Sequence, residues 1–272
     1  MDVKLGVCNF CLPGTGIFAP QLVAEAGLDG MSIEFGTYES GFPLSNRRIQ
    51  DAYKEARENY GIEYCNIGCS GFDFIPFHAP RGHVFYDVVR QFVREAIDAA
   101  TYLEIPLVFI PTFQASTIDT EEQFRRSVDM FRFACDLAAE KGIAIAHENI
   151  MDFRRQILLY EEVGRENFGI FYDSNNYFYF KGYDQVEILN TIYDYITPQI
   201  HVKDGKKGVL AGALLGKGDA GFYNVISYLK KKNFNGWLII ENQYEQKHLR
   251  DLNKDSYITF RQDVEILKSA VK

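Results

Sequence analysis

Short runs of β-branched and aromatic residues alternate with longer amphipathic stretches about eight times along the chain. The strand-like runs are Lys4–Cys8, Gly30–Phe35, Glu63–Ile67, Leu107–Ile110, Ile143–Glu148, Phe168–Tyr172, Ile200–Lys203 and Trp237–Glu241. Between and after them the spacing predicts helices over Pro20–Ala26, Arg47–Tyr60, Tyr86–Leu103, Glu121–Lys141, Ile157–Val163, Val186–Tyr195, Tyr223–Lys232 and Tyr257–Ala270. Several of these helices run into a glycine and then at once into a strand, as in EAGLDG, ENYGIE and EKGIAI. The segments that follow the strands are longer, among them Asn9–Ala19, Asp204–Phe222 and Asn242–Ser256.

Short connections after the helices and long ones after the strands are the signature of a (β/α)8 barrel, whose active site is built at the C-terminal ends of its strands. No linker, low-complexity tract or solenoid repeat interrupts residues 1–272, so a single barrel domain is expected. An open doubly wound sheet would need a glycine-rich phosphate turn after its first strand. Gly14-Thr15-Gly16 is followed by Ile-Phe-Ala-Pro with no third glycine, and reads as an ordinary turn.

The 272 residues are 47% hydrophobic, enough for one large core. A formal net charge of -8 leaves no broad basic face, which argues against nucleic acid and for a small-molecule partner. No apolar run approaches the roughly 20 residues of a membrane span, and MDVKLGV lacks the pattern of a signal peptide, so a cytoplasmic protein with no membrane partner is expected. The five cysteines point to reduced thiols. Cys8 with Cys11 and Cys65 with Cys69 have the arithmetic of a four-thiolate zinc site. They close the first and third strands, which are not neighbours in a barrel, so small apolar strand-end residues are the favoured reading.

Four metal-competent residues stand at or just beyond the ends of the last four strands: Glu148 in IAIAHEN, Asp173 in FGIFYDSNN, His201 in PQIHVKD and Glu241 in WLIIEN. They converge only if those strands close into a parallel barrel. Strand alternation adds that an inward Glu148 sends His147 toward the helices, and that His201 and Lys203 share a side. Each carboxylate alone has a bland alternative: a helix cap for Asp173, a loop charge for Glu241, a strand-end pair for Glu148. One per consecutive strand is what favours a metal centre. Three carboxylates and an imidazole form a hard donor set suited to one divalent ion, Mn²⁺ first, with Mg²⁺, Co²⁺ or Zn²⁺ as alternatives. Such an ion can hold neighbouring oxygens of a hydroxy-ketone and stabilise an enediolate while carboxylates on either side move a proton.

These residues, together with Glu34 in MSIEFG, the HVKD of His201 to Asp204 and Gly216-Lys217-Gly218-Asp219, resemble the xylose-isomerase-like TIM-barrel family of sugar isomerases and epimerases over essentially the whole chain. The resemblance implies a metal-dependent isomerase or epimerase of carbohydrate metabolism, acting on a ketose or related keto-polyol, free or phosphorylated. In the ketose 3-epimerase branch, residues matching Glu148, Asp173, His201 and Glu241 bind one divalent metal. The two glutamates there serve as acid and base, which assigns those catalytic roles to Glu148 and Glu241.

Two departures bear on the substrate. Many members carry histidine three residues after the strand-six aspartate, where this chain has Asn176, able to hydrogen-bond a hydroxyl but not to titrate. Epimerases of free ketoses often carry arginine where Lys207 stands, beside Lys206. Glu34, Asn176, Lys203, Lys207 and His78 are therefore the substrate-binding candidates, with His83 and Arg81 as further loop residues. Tyr177 to Phe180 follow Asp173 too densely for a solvent loop and wall the pocket or form a contact in a homo-oligomer.

The principal alternative within the family is a lyase, such as an inosose or dehydroshikimate dehydratase or a C-glycoside-cleaving enzyme, which enolises its substrate in the same way and then expels a leaving group. A nuclease of the endonuclease IV kind would need several histidine ligands, and the chain has five histidines in all and Asn176 where one is wanted. A non-catalytic sugar-binding barrel would bind ligand without turnover.

Overall fold

The computed structural model describes residues 1–14 and 16–272; the turn expected at Gly14-Thr15-Gly16 includes Thr15, which lies outside the described residues. The strands are β1 (Asp2–Cys8), β2 (Gly30–Glu34), β3 (Glu63–Gly68), β4 (Leu107–Pro111), β5 (Ala144–Glu148), β6 (Phe168–Asp173), β7 (Ile196–Val202), β8 (Asp204–Lys206), β9 (Val209–Ala213) and β10 (Asn235–Ile240). β8 and β9 pair as an antiparallel hairpin, and the other eight form a closed barrel in the order β1-β10-β7-β6-β5-β4-β3-β2. The helices are α1 (Ala19–Glu25), α2 (Arg47–Tyr60), α3 (Tyr86–Leu103), α4 (Glu121–Ala139), α5 (Phe153–Val163), α6 (Asn176–Lys181), α7 (Gln185–Ile192), α8 (Phe222–Lys231), α9 (Lys247–Arg250) and α10 (Ser256–Val271). The fold is the expected (β/α)8 barrel. Among the described residues no helix is long and apolar enough to cross a membrane.

The differences from expectation are local. β7 begins at Ile196 rather than Ile200 and runs through Thr197-Pro198. The three long segments after β6, β7 and β10 contain α6, the β8–β9 hairpin and α9. These pieces are too short to establish a hydrophobic period of their own.

Packing gathers the chain into two compact units, residues 1–32, 56–63 and 172–272 in one, and 33–55 and 64–171 in the other. In the first, parallel pairing sets Leu5 beside Leu238 and Val7 beside Ile240. The pairing of β7 with β10 sets His201 beside Ile239 and Val202 beside Ile240. That register brings the end of β10 level with the end of β7. The second is knit by stacked and tilted rings: Phe35, Phe42 and Phe72 all meet Phe92, at centroid separations of 5.1, 4.5 and 4.2 Å. Phe77 carries the cluster on to Phe131. The helices start where short polar side chains cap them: Thr120 for α4, Asp152 for α5, Asp184 for α7 and Asp255 for α10.

Candidate active site

Glu148 and Asp173 are the last residues of β5 and β6, His201 is the penultimate residue of β7, and Glu241 immediately follows β10. Backbone bonds hold the ends in step, with Ser174 N donating to His201 O at 3.1 Å and Glu241 N to Val202 O at 3.1 Å. One ligand atom from each of Glu148, Asp173, His201 and Glu241 lies within 4.8 Å of the others. Glu148, Asp173 and His201 are buried, and the Glu241 side chain is 12% exposed. The geometry and the hard donor set fit a single divalent ion.

Asp173 divides its two oxygens. Oδ1 accepts Asn175 N at 2.8 Å and Asn176 N at 2.6 Å, just ahead of α6, whose N-cap position is Asn175. Oδ2 lies 3.3 Å from Lys203 Nζ. Lys203 also forms an ion pair with Glu241 Oε2, and His201 Nδ1 stands 3.3 Å from that same oxygen. Burial pushes the Glu241 carboxyl upward, but the adjacent Lys203 and His201 outweigh it and hold the group below the ordinary carboxylate range. His201 and Lys203 thus share a side, as strand alternation requires.

The far nitrogen of the imidazole, Nε2, lies 3.4 Å from Cys8 Sγ. Cys8, His201 and Glu241 form a second close donor group. Burial first, and then the Cys11 thiol, hold Cys8 well above the ordinary thiol range, so it stands as a neutral thiol. All five cysteines are free and buried, and among the described residues no group joins Cys8 and Cys11 to Cys65 and Cys69.

His147 takes the opposite face of β5. Its ring packs 4.7 Å from Phe131 of α4, and Nε2 is 2.7 Å from Thr112 Oγ1. Burial lowers its pKa to about 3, which keeps it neutral.

The remaining sequence candidates fall in varied surroundings. Glu34 accepts Gly36 N at 3.1 Å and the Ser70 hydroxyl, and burial raises its pKa to about 7. Asn176 is buried at the start of α6, its backbone N–H on Asp173. His78 is buried with Nε2 3.1 Å from Thr117 O, and its carbonyl accepts Arg126 Nε at 2.9 Å. Lys207 is exposed on the hairpin, its backbone N–H 3.3 Å from Asp219 Oδ2. Arg81 and His83 are exposed. Of the aromatic run, Tyr177 is buried and stacks on Tyr172 at 6.2 Å, whereas Phe180 is 47% exposed.

Sequence reasoning missed the polar frame beneath the loop after β7. Ser174 Oγ both donates to Lys203 O and accepts Lys203 N, each at 3.0 Å, fixing the lysine backbone. The Asp204 carboxylate accepts the N–H groups of Gly205, Gly216, Gly218 and Ala220. Asn242 Oδ1 accepts Asp204 N at 2.9 Å, and Asn242 Nδ2 donates to Asp263 of α10 at 2.7 Å. The only advance signal was positional, since Ser174, Asp204 and Asn242 each lie beside a proposed ligand or within its motif.

The match of residues 20–269 to the model of the xylose isomerase-like TIM barrel places this chain in that family. It is 27% identical over 256 residues, 94% of this chain and 93% of the relative, to 2-epi-5-epi-valiolone 7-phosphate 2-epimerase of Actinoplanes sp.. It is 25% identical over 156 residues, 49% of this chain and 52% of the relative, to inosose dehydratase of Histophilus somni. Among solved structures, D-psicose 3-epimerase with D-tagatose from Clostridium cellulolyticum H10 superposes with a TM-score of 0.79 at 14% identity, covering 99% of this chain and 100% of that one. D-allulose 3-epimerase from Methylomonas sp. gives 0.78 at 17% identity, covering 99% and 98%. At those identities the structural likeness speaks for the fold. Family membership and the buried donor group together support, at the level of the family, a metal-binding isomerase or epimerase site.

Proposed function

We propose that this chain is a metal-dependent isomerase or epimerase acting on a ketose or related keto-polyol. The observation that carries the reading is the convergence of Glu148, Asp173, His201 and Glu241 within 4.8 Å. A divalent ion, Mn²⁺ first, held by these four residues would supply charge stabilisation to adjacent oxygens of a hydroxy-ketone. Glu148 and Glu241 are the acid and base, one taking a proton from the carbon next to the carbonyl and the other returning it. The Lys203 ammonium beside its carboxylate keeps Glu241 ionised. The full-length relative supports the epimerase reading, and its name specifies a phosphorylated substrate. In this chain Lys206 and Lys207, exposed on the β8–β9 hairpin, are the cations offered to a phosphate.

A lyase is the second reading, favoured by the dehydratase relative over about half the chain. Both chemistries begin with the same proton abstraction. The deciding experiment is incubation of metal-free and Mn²⁺-loaded protein in D₂O with ketoses, inososes and their phosphates, followed by mass and NMR analysis. Metal-dependent deuterium beside a carbonyl, in a product of unchanged composition, is the expected result; loss of water would select the lyase. Glu148→Gln and Glu241→Gln should each lower the rate by about 10²–10⁴-fold. Full activity in both would remove the two-carboxylate mechanism.

A further inference from the structure

Lys203 is an unusual neighbour for a metal centre. Its side chain is 6% exposed, and its ammonium sits 3.3 Å from Asp173 Oδ2 and in an ion pair with Glu241 Oε2, two of the proposed donor carboxylates. Ser174 clamps the Lys203 backbone from both sides, so the placement is built into the strand end. Glu241 Oε2 is shared between this ammonium and His201 Nδ1. The three carboxylates and one ammonium leave the group two charges negative, the charge a divalent ion cancels. A buried lysine is rarely tolerated without such partners.

We infer that Lys203 is a resident counter-ion that competes with the metal for Asp173 and Glu241, setting the affinity of the site and holding its carboxylates together when no metal is bound. The inference rests on the metal reading proposed above. Both cations draw on the same oxygens, and in a poorly solvated site like charges at that spacing repel strongly. Metal binding therefore takes at least one carboxylate contact from the ammonium. Lys203 is on this account a positioning residue whose role shows in binding before it shows in rate.

The test is Mn²⁺ affinity by calorimetry for the wild-type protein, Lys203→Met and Lys203→Arg at one pH and ionic strength. Lys203→Met should bind Mn²⁺ at least about tenfold more tightly, should melt earlier than wild type without metal, and should gain more in Tm on loading. Lys203→Arg, keeping the charge, should stay within about threefold of wild type. Equal or weaker binding by Lys203→Met, with wild type binding normally, overturns this inference and leaves the functional reading standing. Absence of Mn²⁺ binding in every form overturns both. Should Lys203→Met fail to fold, the Lys203 Nζ resonance of the unsubstituted protein, assigned through Lys203→Arg, should shift as Mg²⁺ is titrated. A resonance that stays in place at saturating Mg²⁺ overturns the inference equally.

Discussion

Cys8 Sγ lies 3.4 Å from His201 Nε2, on the side of the imidazole away from Glu241. If Nδ1 is the metal ligand, Nε2 carries the proton and points it at the sulfur. A partner behind a ligating imidazole fixes its tautomer and ring orientation, and losing such partners typically costs 10–100-fold in metal affinity. Cys8→Ala should therefore weaken Mn²⁺ binding by about tenfold, while Cys8→Ser, which keeps an acceptor, should retain most of it. Calorimetry on the two variants decides the matter; equal loss in both would make the effect one of packing.

Glu34 supplies a pH dependence that does not involve the metal donors. Its carboxyl is raised from an ordinary value of 4.5 to about 7, chiefly by burial. Between those values the unfolded chain releases a proton that the folded chain retains. The stability Glu34 contributes is thus fully present below about pH 4.5 and is lost as the pH rises through about 7. Because the side chain keeps some contact with solvent, the loss should be on the order of 2 kcal/mol rather than the full linkage value. Urea titrations of wild type and Glu34→Gln across that range should show a slope in the first that is flattened in the second. Parallel curves would mean that Glu34 ionises normally.

The placement of the four donors was legible because each ends a β-branched or aromatic run, and parallel closure brings such ends to one rim. IAIAHEN even separates its neighbours, turning Glu148 to the donor group and His147 to Phe131. What could not be read is contact between residues distant in the chain and unmarked by any period. Cys8 and His201 are separated by 193 positions. Cysteine spacing relates the thiols only to one another, whereas the structure pairs Cys8 with an imidazole. Lys203 was legible as a residue near the site but not as the ion partner of Asp173 and Glu241, since a strand pattern fixes the face of a long side chain and not the end point of its ammonium.

The loop after β7 provides a last check, because its order depends on a few buried polar groups. Asp263 is fully buried and accepts Leu215 N at 2.7 Å, Asn242 Nδ2 at 2.7 Å and Tyr244 OH at 2.8 Å. Asp263→Ala would strand three buried donors, for which a destabilisation of about 2–4 kcal/mol is expected. Gly218 lies within this loop, and a Cβ there would collide with Asp204 Oδ1 and Gly205 O. Gly218→Ala must push the loop off the Asp204 carboxylate that gathers its N–H groups. Hydrogen exchange should therefore accelerate across residues 204–220 in both variants, with Asp263→Ala also lowering global stability. Unchanged protection in Gly218→Ala would show that the loop can hold its shape without Asp204, and the frame assigned to Asn242 and Asp263 would lose its purpose.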